Sequence, residues 1–174
     1  MEYTFTLKYQ IADDGCDPQV LVERLGEAGC DDALAGIGQP GRLALEFTRE
    51  AADAQAAVRS ALADVRRAVP SARLIEVAPD LVGLSDVAGI VGVSRQNLRK
   101  LMLTHPGSFP APVHEGSTSI WHLADVLVWL QARGTDPLAE DVLEVARVAL
   151  QVNVAKEGRR LPRLASEDLE ALVG

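Results

Sequence analysis

Leu84-Ser-Asp-Val-Ala-Gly-Ile-Val-Gly-Val-Ser-Arg-Gln-Asn-Leu-Arg-Lys-Leu-Met102 spells two short helices meeting at a glycine. Ser85 stands where a hydroxyl can cap the first helix, and Ser94 stands in the same relation to the second. Val87, Ala88 and Val91 face inward from the first helix, and Ala88 is small where the second must cross closely. Gly92 permits the turn between them. Val93 fills the angle, and Leu98 and Leu101, three apart, hold the second helix to a core. Arg95, Gln96, Asn97, Arg99 and Lys100 are left pointing outward.

Those outward residue types suit a duplex. Gln and Asn can bond an adenine edge in bidentate fashion, and Arg can do the same to guanine. A helix N-terminus offers unpaired N–H groups and a positive dipole end to a phosphate. In a helix-turn-helix the start of the second helix meets the bases. The expectation is double-stranded DNA as partner, with Arg95 and Gln96 toward bases, Arg99, Lys100 and Ser94 toward phosphates, and Asn97 toward either. The plainer alternative is a helical hairpin whose polar face is only solvated.

Further along the chain stand Phe109-Pro-Ala-Pro-Val113 and Ile120-Trp-His-Leu-Ala-Asp-Val-Leu-Val-Trp-Leu130. Together with Leu84-Ser-Asp-Val-Ala88 and Gly92-Val-Ser-Arg-Gln96, in this order, they resemble the AlpA/excisionase and MerR-type winged helix-turn-helix regulators. The resemblance covers residues 84–132. It implies a small β wing from Val113 to Trp121 around Glu115-Gly116, with Trp121 and Trp129 locking the wing and the following helix onto the reader. Wings in this group are usually basic, whereas residues 105–124 carry no Lys or Arg and Glu115 falls at the tip. His114, Ser117, Thr118 and Ser119 are the wing residues left to reach a phosphate.

Toward the N-terminus, Tyr3, Phe5, Leu7, Tyr9 and Ile11 alternate with polar residues, as in a strand with one buried face. Asp17-Pro18 starts a helix that stops at Gly29. Ala33–Ile37 reads as a second strand, Gly38–Gly41 as a turn and Leu43–Phe47 as a third strand. Asp53 caps a helix running to Val69, Pro70 ends it, and Arg73–Ala78 is a fourth strand. The order β-α-β-β-α-β fits the ferredoxin-like sandwich, a fold that hosts many unrelated functions. The expected class is therefore α+β: a ferredoxin-like domain over 1–79, a winged helix-turn-helix over 80–134 and C-terminal helices over 135–174, with Pro79-Asp80 as the boundary. The first domain would serve dimerisation, sensing or partner binding.

After Asp136-Pro137 a helix runs to about Ala155 and is ended by Gly158. Leu138, Val142, Val145, Ala149 and Val152 form one apolar row on it; Leu143, Ala146 and Leu150 form another. Two seams predict cover on more than one side, from the helix's own chain or from a second copy, and motivate a homodimer. Ser166 caps a last helix from Glu167 to Leu172. Lys156, Arg159, Arg160 and Arg163 read as a solvated helix end, where cations suit the dipole.

Composition bounds the rest. Of 174 residues 48% are hydrophobic, mostly small aliphatics with 4% aromatics, which is enough for a core of closely packed helices. The net charge of −8 divides into −5 over 1–79, 0 over 80–134 and −3 over 135–174, so the reader is neutral between acidic flanks. Phosphate attraction alone is then weak, because counterion release scales with the cations presented. The opening residues lack a basic and apolar leader, and no apolar run reaches membrane-spanning length. Cys16 and Cys30 lack ligand spacing and read as thiols in a reducing, cytoplasmic setting. His105, His114 and His122 read as loop histidines, Asp13-Asp14 with Asp17 as a solvated turn, and Gly36, Gly38 and Gly41 as turn geometry. No nucleophile–base or metal-ligand constellation emerges, so the expectation is no catalysis, no metal and no cofactor.

Function therefore reads as sequence-specific transcriptional regulation by a dimer. The alternative is a protein-interaction module, antitoxin-like, whose acidic flanks bind a protein partner and whose DNA binding is secondary and autoregulatory. A recombination accessory fits less well, since such proteins are usually little more than the reader.

Overall fold

The computed structural model describes residues 1–13, 15–134, 140–161 and 167–173. Asp14, Asp136, Pro137, Leu138, Arg163 and Ser166, all named in the sequence analysis, lie outside them. The first half forms an antiparallel sheet of β1 (Glu2–Gln10), β2 (Ala33–Gly36), β3 (Arg42–Glu50) and β4 (Arg73–Ala78) in the order β2-β3-β1-β4. The period-two alternation does what it predicts: Tyr3, Phe5, Leu7 and Tyr9 are buried, as are Leu43, Leu45 and Phe47 on the facing strand. Phe5 lies opposite Phe47 in the register, and their rings stack with centroids 5.3 Å apart.

Helices α1 (Pro18–Glu27) and α2 (Ala54–Ala68) cover this face. Each begins at an aspartate: Asp17 accepts the N–H of Gln19 at 2.9 Å, and Asp53 accepts that of Ala56 at 2.7 Å. The buried face of α2 is Ala54, Ala57, Val58, Ala61, Val65 and Ala68, small enough for the helix to lie close on the sheet.

β3 runs past the Phe47 end predicted for it and carries Arg49 inward, 8% exposed. Its guanidinium meets Asp32 through two nitrogens at 2.7 and 2.8 Å, Asp64 at 2.8 Å, Ser60 at 3.0 Å and the Gly29 carbonyl at 2.7 Å. All its N–H donors have partners, which makes a buried cation tolerable. Arg49 ties the end of β3 to α2 and to the turn after α1.

The second half contains β5 (Leu81–Val82), α3 (Leu84–Val91), α4 (Arg95–Thr104), β6 (Trp121–His122), α5 (Leu123–Ala132), α6 (Glu140–Gly158) and the short α7 (Glu167–Glu170). β5 and β6 pair antiparallel; two residues each are too few to announce themselves by period. A second core gathers Val87, Ala88, Leu98, Trp121, Leu127 and Leu130.

α6 joins the two cores. Val145 and Ala149 are buried in the first, and Leu143 and Ala146 in the second. The described residues of both apolar seams are thus covered by the helix's own chain, so they no longer argue for a second copy. Past Ala149 the helix lies along the outer edge of β4. The Asn153 amide accepts the Val77 N–H at 2.8 Å and donates to the Val77 carbonyl at 2.9 Å, and Lys156 donates to the Ile75 carbonyl. Side chains of α6 stand in for a further strand at an edge that would otherwise be open.

Asp80, read from sequence as the boundary between domains, is 1% exposed. Its carboxylate meets His122 Nδ1 at 2.6 Å and Asn153 Nδ2 at 2.7 Å, and its carbonyl accepts the Leu123 N–H at 2.7 Å. His122 is accordingly a strand residue with a buried partner, not the loop histidine expected. Among the described residues no helix is long and apolar enough to cross a membrane.

Candidate nucleic-acid interface

α3 and α4 meet at a corner built on Gly92, which adopts a left-handed conformation at φ 71° and ψ 27°. A residue with a Cβ is costly there, and glycine is not. The N–H groups of Gly92 and Val93 both return to the Ala88 carbonyl, closing the first helix and turning the chain. Ser94 caps α4 by accepting the Asn97 N–H at 3.1 Å. Leu98 is fully buried and Leu101 partly buried against the second core. This is the corner expected from Leu84–Met102.

One cap differs. Ser85 does not start α3; Gly83 does, and its N–H donates to the Asp86 carboxylate at 2.9 Å. An acid at the third helical position reaches back to the cap backbone, which sets the start ahead of the serine. The Ser85 hydroxyl is thereby left to line a cleft.

Arg95, Gln96, Asn97, Arg99 and Lys100 are exposed on α4. Helical spacing sorts them into two rows, Arg95 with Arg99 and Gln96 with Lys100. Only the first row lines a cleft of about 360 Å³, together with Ser85, Asp86, Ser117, Thr118 and Ser119. Two guanidiniums thus share the cleft with four hydroxyl side chains and with the Asp86 carboxylate, which accepts the Gly83 N–H; cations outnumber the acid by two to one, which suits an anionic oxygen. Gln96 and Lys100 stand outside it. The arrangement pairs Arg95 with Arg99, whereas the sequence reading had assigned them to bases and phosphates respectively. Ser94 already spends its oxygen on the helix cap.

The far wall of the cleft is a short hairpin. Val113 donates to the Ile120 carbonyl at 2.7 Å, and Ile120 donates to the His114 carbonyl at 3.0 Å, leaving 115–119 as the tip. An aromatic block anchors it. Trp121 donates to the Pro110 carbonyl at 3.0 Å, Phe109 meets Trp121 and Trp129 edge-on at 6.1 and 5.0 Å, and Arg133 stacks over Trp129 at 4.7 Å. Phe109 and Trp121 share a core with Val87 and Leu98, which joins the hairpin and α5 to the helical corner.

No Asp or Glu occurs between Val87 and His114 in a chain of net charge −8. This acid-free stretch includes all of α4 and is bounded by Asp86, which lines the cleft, and by Glu115 at the hairpin tip. Among the described residues no group of His, Cys, Asp and Glu could hold a metal. Comparison with protein-family models, curated proteins and solved structures returns no significant match.

Proposed function

We propose that this chain is a sequence-specific DNA-binding regulator that reads a duplex with α4. The observation carrying this reading is the row of exposed donors on a helix pinned by Leu98 and capped by Ser94, beside a cleft lined by Arg95 and Arg99. Gln96 and Lys100, on the row outside the cleft, enter the major groove. There Gln96 meets an adenine edge and Lys100 a guanine edge or a phosphate. Arg95 and Arg99 grip a backbone phosphate between the helix and the hairpin, aided by hydroxyls. Asn97 contacts either. The resemblance of 84–132 to AlpA/excisionase and MerR-type proteins belongs to this reading, with residues 113–121 as the wing.

The first domain is ferredoxin-like in this proposal, supported by its strand order and by two helices on one face. It serves dimerisation, sensing or partner binding. The protein acts as a cytoplasmic homodimer without catalysis or cofactor. Two half-sites compensate for the few cations that each reader presents.

The test is fluorescence anisotropy with DNA from upstream of the protein's own coding sequence against scrambled DNA, at two salt concentrations. Preference for the native sequence, lost in Arg95→Ala/Gln96→Ala with the fold intact, is the expected result. Equal, weak and salt-sensitive binding to both DNAs would overturn it and favour the antitoxin-like alternative, which the net charge of −8 also suits.

A further inference from the structure

Beside the outer edge of β4, the last turns of α6 leave a groove of about 890 Å³. Its rim carries Arg73, Lys156, Arg159 and Arg160, and its floor is apolar through Leu74 and Val152. Glu157 is the acid at this site, shared between Lys156 at 2.7 Å and Arg160 at 2.9 Å. Four cations against one carboxylate form a basic focus on a strongly acidic chain. Lys156 lies about 15 Å further along the helix than Ala146 at 1.5 Å per residue, and Ala146 is the residue seated in the second core. The groove is therefore separate from the cleft beside α4.

The matching surface is in the same sequence. Glu167-Asp-Leu-Glu-Ala-Leu-Val173 holds three acids and no base. Its apolar side chains stand in water: Leu169 is 53% exposed, and Leu172 and Val173 are 81%. An acidic segment with unburied leucines complements a basic rim over an apolar floor in both charge and polarity. These leucines are uncovered and are left for another surface.

We infer that the groove binds the C-terminal segment, Glu167–Val173, of a second copy of this chain. Two chains related by a two-fold axis each give a tail and receive one, which closes the assembly at two. The inference rests on the dimeric part of the proposed function and not on DNA binding. Its test contains no DNA, so the two can fail separately.

The experiment is sedimentation velocity on the full chain and two charge-reversed variants. One variant carries Arg159→Glu and Arg160→Glu; the other carries Glu167→Arg, Asp168→Arg and Glu170→Arg. The native chain is expected to sediment as a dimer and each variant alone as a monomer with native circular dichroism. An equal mixture restores the dimer, because each groove then meets a tail of opposite charge. A monomeric native chain, variants that remain dimeric, or a mixture that stays monomeric would each overturn the inference. Should a reversal variant fail to fold, Leu169→Ser/Leu172→Ser changes only exposed apolar positions. Loss of the dimer there supports the inference, and retention overturns it.

Discussion

The side-chain amide of Asn153 stands 2.7 Å from the Asp80 carboxylate, joining residues 73 positions apart at the seam between the two cores. The same amide pairs both backbone groups of Val77, and the same carboxylate holds His122. Asn153 is 7% exposed and the Asp80 side chain is fully buried, so each bond is made away from water. Replacing Asn153 with Leu leaves the Val77 N–H and carbonyl and one Asp80 oxygen without these partners. Buried polar groups left unpaired cost about 1–3 kcal/mol each before relaxation. The expected loss is about 2–4 kcal/mol in urea denaturation. Because α6 is the shared element, the expected signature is also a broadened or split transition as the cores uncouple. An Asn153→Leu chain that unfolds with the native midpoint and slope would refute this role.

Arg49 is the second buried polar device, and its removal has a pH signature. Arg49→Met leaves the Asp32 carboxylate without its cation and leaves Asp64 with Arg67 alone. Breaking a buried pair on one side costs about 3–5 kcal/mol. Hydrogen bonding from Arg49 holds the Asp32 carboxyl below its usual range, against the opposing effect of burial. A depressed carboxylate contributes stability above its unfolded pKa and loses it as pH falls through the folded value. The deficit of Arg49→Met is thus expected to be greatest at neutral pH and to narrow below about pH 4, where the Asp32 carboxylate takes up a proton. Denaturation midpoints of both chains across that range check it; a deficit that does not change with pH would show that packing, not charge, accounts for the loss.

The two cysteines differ in setting. Burial, and secondarily the nearby Asp64, push the Cys30 thiol up to about 11, whereas Cys16 is exposed. Thiolate is the reactive form. At mildly alkaline pH a thiol reagent is expected to modify Cys16 quickly and Cys30 only on unfolding, read by mass after timed quenching. Equal rates in the folded chain would show that the Cys30 pocket opens.

How much of this was legible in the sequence follows from which features are local. The alternation from Tyr3 to Tyr9 predicted β1 because one face of the sheet is buried and the other is not. Asp17, Asp53 and Ser94 marked helix starts, since a cap bonds within its own first turn. The Gly92 corner was equally local. Arg49 was not legible: it sits at an inward position of β3 where the pattern expects an apolar residue, and its partners lie 11 to 20 residues away. Asp80 looked like a linker for the same reason, with its partners on β6 and α6. The two seams of α6 were visible, but what covers them is a tertiary fact. Within the candidate site the two rows of α4 followed from helical spacing. Which row faces the hairpin depends on how Phe109, Trp121 and Trp129 pack, and no spacing in α4 records that.

Gly92 connects fold to function most economically. Nothing lies within 4 Å of where a Cβ would stand, so an added methyl meets open space. The cost of Gly92→Ala is therefore conformational, about 1–2 kcal/mol for a non-glycine residue held at positive φ. For a chain of this length that is a fall of about 2–8 °C in midpoint. Asn tolerates this region better, so Gly92→Asn is expected to fall less. Well below the midpoint both variants keep the corner and, with it, the exposure of Arg95, Gln96, Asn97, Arg99 and Lys100. If the chain binds DNA as proposed, their affinity at low temperature is expected to match the native chain, while affinity near the midpoint drops with the folded fraction. Thermal melts paired with anisotropy at two temperatures separate these effects. A variant of native stability that no longer binds DNA would mean that Gly92 is needed at the interface itself, where close approach of a phosphate to the backbone would exclude the methyl group.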